Sequence, residues 1–220
     1  MTDKHPWLSI ERGDAPLIVS IPHSGTDIPP EIESELVSGW LARKDADWWV
    51  EKLYDFAPAL DATIVRTAIS RTVIDVNRDP SGKSLYPGQA TTELCPSTTF
   101  DGEPLYKKSS HPPDSTQIAA RRLHYFNPYH DAVADEIARL RNMHERVVLF
   151  EAHSIRSHVP RLFEGELPNF NIGTNSGASC ASELARTVEA VCDASRFSWV
   201  TNGRFKGGWT TRHYGEPQMG

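Results

Sequence analysis

The chain is short of cysteine, of basic residues and of long apolar runs, and each shortage closes off a class of protein. Its 220 residues include three cysteines, Cys95, Cys180 and Cys192, an odd number with no Cys-x-x-Cys spacing. That suits a reduced protein better than a disulfide framework, and the cytoplasm is the expected location. The 23 Lys and Arg residues stand against 29 Asp and Glu, for a net charge of −6. No positive excess is available to neutralise phosphates, so nucleic acid is not expected as the partner. No run approaches the ~18 apolar residues of a membrane span. The opening Met-Thr-Asp-Lys-His lacks the basic and apolar regions of a signal peptide. Dinucleotide and phosphate-loop glycine patterns are missing, as is the serine-hydrolase elbow G-x-S-x-G. Repeats and low-complexity tracts are missing too.

What the chain does carry is two short apolar runs that each stop at a histidine followed by a serine. Residues 17–23 read Leu-Ile-Val-Ser-Ile-Pro-His, and residues 147–153 read Val-Val-Leu-Phe-Glu-Ala-His. Both are too short for ordinary helices and read as strands. Ligands of open α/β sheets bind outside the carboxyl ends of the strands. His23 and His153 are therefore expected at the functional edge, as metal ligands or as an acid/base pair. Around them the pattern predicts strands over 16–22, 62–68, 70–76, 147–152 and 197–201. Helices are expected near 31–37, from Asp47 to Ala57, over 114–142 with a break at Pro128, and over 181–193. Residues 79–116, 154–180 and 202–215 read as loops. Alternating strands and helices predict an α/β fold with helices on both faces of a sheet, in a single domain over residues 1–220.

Catalytic zinc takes three protein ligands. Asp47, after a loop and at an expected helix start, is the best third ligand, although it could equally be the N-cap of that helix. Glu151 lies two residues before His153 and so faces the same way on a strand. It reads as a partner of that histidine or as a proton acceptor. Asp75-Val76-Asn77-Arg78 forms a second constellation at a strand end. Arg78 offers a planar fork for a carboxylate, and Asn77 adds a neutral donor. Asp75 is placed to fix Arg78 or a histidine. Arg71, Arg156, Arg161, Arg204, Lys206 and Arg212 add cations in loop segments of an acidic chain, which points to a small anionic substrate. Gly25 is expected to let the backbone turn after His23.

Seven short motifs occur in a familiar order: Pro22-His23-Ser24-Gly25, Asp47-Trp48, Asp75-Val76-Asn77-Arg78, Leu85-Tyr86-Pro87-Gly88, Phe150 to Ser157, Phe170 to Thr174, and Asn202 to Gly208. From about residue 15 onward the chain resembles the N-formylglutamate amidohydrolases of histidine degradation. The resemblance implies a three-layer α/β/α sandwich with a mixed sheet, phosphorylase/hydrolase-like and related to zinc carboxypeptidases. It implies hydrolysis of N-formyl-L-glutamate to formate and glutamate by one Zn2+ held by His23, Asp47 and His153. Asn77 and Arg78 would grip one substrate carboxylate, with Arg156, Arg204 or Arg212 holding the other, and Glu151 would be the nearby base. The pattern departs at Trp49, where such proteins often carry histidine. It also implies a further strand bearing a glutamate, and a helix, beyond residue 220. Two other readings remain open at this level: a zinc amidohydrolase for another N-acyl amino acid or a peptidoglycan-type amide, and a non-catalytic glutamate-binding protein.

Overall fold

A computed structural model describes residues 5–85 and 88–220. Tyr86 and Pro87 of the fourth motif lie outside the described residues. The centre is a four-stranded mixed sheet in the order β1-β3-β2-β4, built from β1 (Leu8–Glu11), β2 (Leu17–Ile21), β3 (Thr63–Thr67) and β4 (Val148–Glu151). Strands β3, β2 and β4 run parallel, and β1 closes one edge antiparallel to β3. The strand-like alternation of 62–68 and the apolar runs at 17–23 and 147–153 thus form the three parallel strands. β1 is a four-residue, largely exposed edge, too short to stand out by periodicity.

The two faces of β2 divide by the period of two that strands impose. Ile18, with Val65, packs under Phe126, Tyr129, Val133 and Leu140 of the long helical segment. Val19 and Ile21, with Ile64, pack on Val50, Tyr54 and Ala57. Both faces of the sheet are covered, which is why β2 reads as an unbroken apolar run.

The helices are shorter than their sequence pattern suggests. Pro30–Glu33 forms α1 and Gly39–Arg43 forms α2. The segment expected to be one helix from Asp47 to Ala57 holds only α3 (Val50–Leu53) and a 3-10 turn over Ala57–Leu60. The expected strand over 70–76 is absent: these residues are turns and irregular backbone, all of them buried. Ser70 Oγ accepts the Thr72 N–H and Ser70 O accepts the Val73 N–H. Such local bonds satisfy the backbone without a ladder partner.

The expected break at Pro128 is present and takes a specific form. Asp114 and Gln117 make a capping box that starts α4 (Ser115–Arg121). A widened π-turn over Arg122–Phe126 follows, in which Asn127 N–H reaches back to Arg122 O. α5 (Asn127–Arg141) then begins with Pro128 in its first turn. Proline has no N–H to give and its ring crowds the preceding turn, so the widening falls just before it.

The last third adds a separate two-stranded parallel sheet, β5 (Phe170–Ile172) with β6 (Trp199–Thr201), and α6 (Ser182–Asp193). β5 lies inside the stretch expected to be loop. The polar stretch 202–215, also expected to be loop, contains a helix, α7 (Trp209–Tyr214). It is anchored by Asn77, whose backbone oxygen accepts the Trp209 N–H and whose side-chain oxygen accepts that of Thr210. Among the described residues no helix is long and apolar enough to cross a membrane.

Candidate metal centre

β2 and β4 are parallel neighbours with Ser20 opposite Glu151. The chains leaving their carboxyl ends therefore run side by side, and Ala152 N–H still bonds to Ser20 O. This carries His23 and His153 to one edge, with ring centroids 4.9 Å apart. Gly25 follows His23 with ordinary backbone angles. Its role is close approach, since a Cβ there would lie 2.4 Å from the Ala68 carbonyl carbon.

Asp47 joins the pair. Its backbone N–H bonds to His23 O, and its Oδ2 accepts the Ser154 N–H at 3.0 Å. Oδ2 also lies 3.1 Å from His153 Nδ1 and 3.8 Å from His23 Nδ1. Asp47 is not an N-cap: Trp49 occupies that position of α3, in a left-handed conformation with φ 65° and no side-chain cap. Left-handed backbone is uncommon for a bulky residue. It turns the chain between Asp47 and α3, so the carboxylate points to the histidines. One ligand atom from each of His23, Asp47 and His153 lies within 4.8 Å of the others.

Asp75 sits behind His23. Its Oδ1 is 2.6 Å from His23 Nε2, and its Oδ2 accepts Arg71 Nη2 at 2.6 Å. Of the two partners open in sequence, the histidine and Arg78, Asp75 holds the histidine closely and lies 3.7 Å from Arg78 Nε. Arg71 is the residue that sequence pattern undervalued. Its Nη1 is 3.2 Å from His23 Nδ1 and 3.6 Å from Asp47 Oδ1, and its guanidinium stacks 4.8 Å from the Phe100 ring centre. Its four-residue spacing from Asp75 was visible, but the segment read as a strand, which would have sent Arg71 and Asp75 along an extended line.

The electrostatics follow from this packing. Burial works against the carboxylates of Asp47 and Asp75, but the cations around them win. His153, His23 and Arg71 hold Asp47 below its usual pKa, and His23, Arg71 and Arg78 hold Asp75 well below. Burial and the Arg71 charge lower the pKa of His23. Burial also opposes charge on His153, yet Asp47 and Glu151 outweigh it and push its pKa up to about 10.

The remaining expected residues are placed as follows. Glu151 Oε2 lies 3.5 Å from His153 Nε2. Asn77 is 4 % exposed, with its Nδ2 3.1 Å from the same Nε2. Arg78 donates to Thr92 through both its backbone oxygen and its hydroxyl. Arg156 pairs with Asp45 and Asp101 on the rim. Arg204 donates to the carbonyls of Leu162 and Ala90, and Arg212 to that of Gly207. The structure thus gathers His23, Asp47, His153, Asn77 and Glu151 directly, and Arg78 through Asp75.

The donor set fits a divalent metal such as zinc: two imidazoles and a carboxylate, with the outer nitrogen of His23 held by a second carboxylate. Comparison with known proteins identifies the family. The family model for N-formylglutamate amidohydrolase matches residues 15–220. An N-formylglutamate deformylase of Pseudomonas aeruginosa is 48 % identical over 217 residues, covering 96 % of this chain and 79 % of that protein. One from Pseudomonas putida is 46 % identical over 212 residues, covering 96 % and 78 %. Among solved structures, an N-formylglutamate amidohydrolase from Ralstonia eutropha shares the fold at a TM-score of 0.80 and 21 % identity, over 96 % of this chain and 82 % of that one. A gene product of Agrobacterium tumefaciens does so at 0.65 and 20 %, over 90 % and 73 %. The chain is a hydrolase, and it belongs to the N-formylglutamate amidohydrolase family.

Proposed function

We propose that this enzyme hydrolyses N-formyl-L-glutamate to formate and L-glutamate in the cytoplasm, in the breakdown of histidine. The observation that carries the reading is the convergence of His23, Asp47 and His153 at one sheet edge, in a chain 48 % identical to an N-formylglutamate deformylase. A single Zn2+ held by these three would supply Lewis acidity toward a water molecule and the formyl oxygen. The chain's own residues do the rest. Arg71, 3.6 Å from Asp47 Oδ1, stabilises negative charge building on the formyl oxygen. Arg78 takes one substrate carboxylate, since 23 % of its side chain is exposed. Asn77 borders that position while holding His153. Arg156, Arg204 or Arg212 takes the second carboxylate. Two fixed carboxylates orient the formamide, and orientation supplies much of the rate. A carboxylate must accept the proton of the attacking water and return it to the leaving amine. Glu151 is this chain's candidate, and its alternative role is to hold His153.

The covered sheet faces support the three-layer sandwich of zinc carboxypeptidases as the architecture. β4 is an edge strand with an apolar sequence and Phe150 40 % exposed.

A panel of N-formyl and N-acetyl amino acids tests the substrate. N-formyl-L-glutamate should give the highest kcat/KM, and Arg78→Ala should raise KM for it more than for a formyl amine without carboxylates. Equal effects of Arg78→Ala on the two substrates would refute the carboxylate role.

A further inference from the structure

The two histidines of the metal centre are backed differently. His23 turns Nε2 to Asp75 Oδ1 at 2.6 Å and Nδ1 to Arg71 Nη1 at 3.2 Å. A guanidinium only donates. His23 Nδ1 therefore carries the lone pair and Nε2 the proton, the tautomer that an Nδ1 metal ligand requires.

His153 faces Asp47 with Nδ1, 3.1 Å from Oδ2. Behind the ring, Nε2 lies 3.1 Å from Asn77 Nδ2 and 3.5 Å from Glu151 Oε2. Asn77 cannot turn its amide over. Its Oδ1 accepts the Thr210 N–H at 3.0 Å, and Gly208 packs so tightly that a Cβ there would lie 2.2 Å from the same oxygen. Asn77 therefore presents an NH2 group to the ring, and a donor cannot accept. Once Nδ1 gives its lone pair to a metal, the ring proton sits on Nε2. Of the two groups facing it, only Glu151 can take it. The Glu151 side chain is 7 % exposed, and its Oε1 is buried with no hydrogen-bond partner. That bare oxygen leaves the carboxylate free of competing protein donors on one side.

We propose that Glu151 is a positioning residue: its carboxylate accepts the Nε2–H of His153 and fixes the tautomer that aims Nδ1 at the metal, as Asp75 does for His23. Glu151 then acts on the metal through His153. The inference rests on the reading of His23, Asp47 and His153 as metal ligands.

The test is zinc affinity, measured by competition with a chromophoric chelator, with circular dichroism as a check on folding. Glu151→Leu should weaken zinc binding about 10–100-fold. Glu151→Gln, whose amide oxygen still accepts, should stay within a few-fold of wild type. Adding Asn77→Asp to Glu151→Leu should restore most of the loss, because one carboxylate oxygen keeps the Thr210 N–H and the other accepts Nε2–H. Nitrogen-15 spectra of zinc-loaded wild type should show His153 protonated at Nε2. Unchanged affinity in Glu151→Leu, or a proton on Nδ1 in the loaded protein, would overturn the proposal and leave the metal site standing. Wild-type protein that binds no zinc would overturn the metal site, and the proposal with it.

Discussion

Asp75 is the residue on which the site turns. Its carboxylate accepts from His23 Nε2, from Arg71 Nη2 and from the Asn77 N–H, with no solvent exposure. Removing one member of such a buried charged set leaves another uncompensated, which costs about 3–5 kcal/mol. Asp75→Ala should therefore lower unfolding stability by about that amount in urea titrations. A loss below about 1 kcal/mol would be that of a surface pair and would contradict the buried network. Asp75 was legible as a partner for a histidine or an arginine. Arg71 was not legible as a member of the centre. Its importance comes from a buried, turn-containing stretch over residues 70–76, and the β-branched Thr72, Val73, Ile74 and Val76 of that stretch imitate a strand.

At the scale of elements, the readable parts are those where local pattern and packing agree. β2 is apolar because both faces of the sheet are covered where it lies, and the histidines follow the carboxyl ends of β2 and β4 by simple succession. Asp47 was readable as the third member of the cluster, but whether it caps a helix was decided only by the left-handed turn at Trp49. α7 was unreadable because its start depends on a distant residue: Asn77 accepts the Trp209 and Thr210 N–H groups. That dependence is testable. A Cβ at Gly208 would meet Asn77 atoms at 2.2–2.5 Å. Gly208→Ala should destabilise the protein by about 1–3 kcal/mol, the usual cost of overpacking, and should weaken zinc binding, since Asn77 would be pushed against His153. A melting temperature and zinc affinity equal to wild type would refute the coupling of α7 to the site.

For the whole molecule, acid stability should carry the mark of His130. Its Nε2 lies 2.7 Å from the Val76 carbonyl and its Nδ1 3.1 Å from the Tyr214 hydroxyl, so the neutral ring is fully used. Burial, against a weaker pull from the Val76 carbonyl, lowers its pKa from 6.5 to about 4. The unfolded chain binds the proton first, so this contribution is complete above pH 6.5 and is lost as pH falls from there toward 4. At 1.36 kcal/mol per unit the loss reaches about 3 kcal/mol. His130→Gln should remove that component of the pH slope, and an unchanged slope between wild type and variant would show that His130 is not held neutral. The central claim concerns the edge where His23, Asp47 and His153 meet. The most direct measurement is formate release from N-formyl-L-glutamate by protein stripped of metal and titrated with zinc. Activity should vanish on stripping and return with a break at one zinc per chain, while His153→Ala neither retains zinc nor recovers. Full turnover by metal-free protein, or stoichiometric zinc in His153→Ala, would contradict the account.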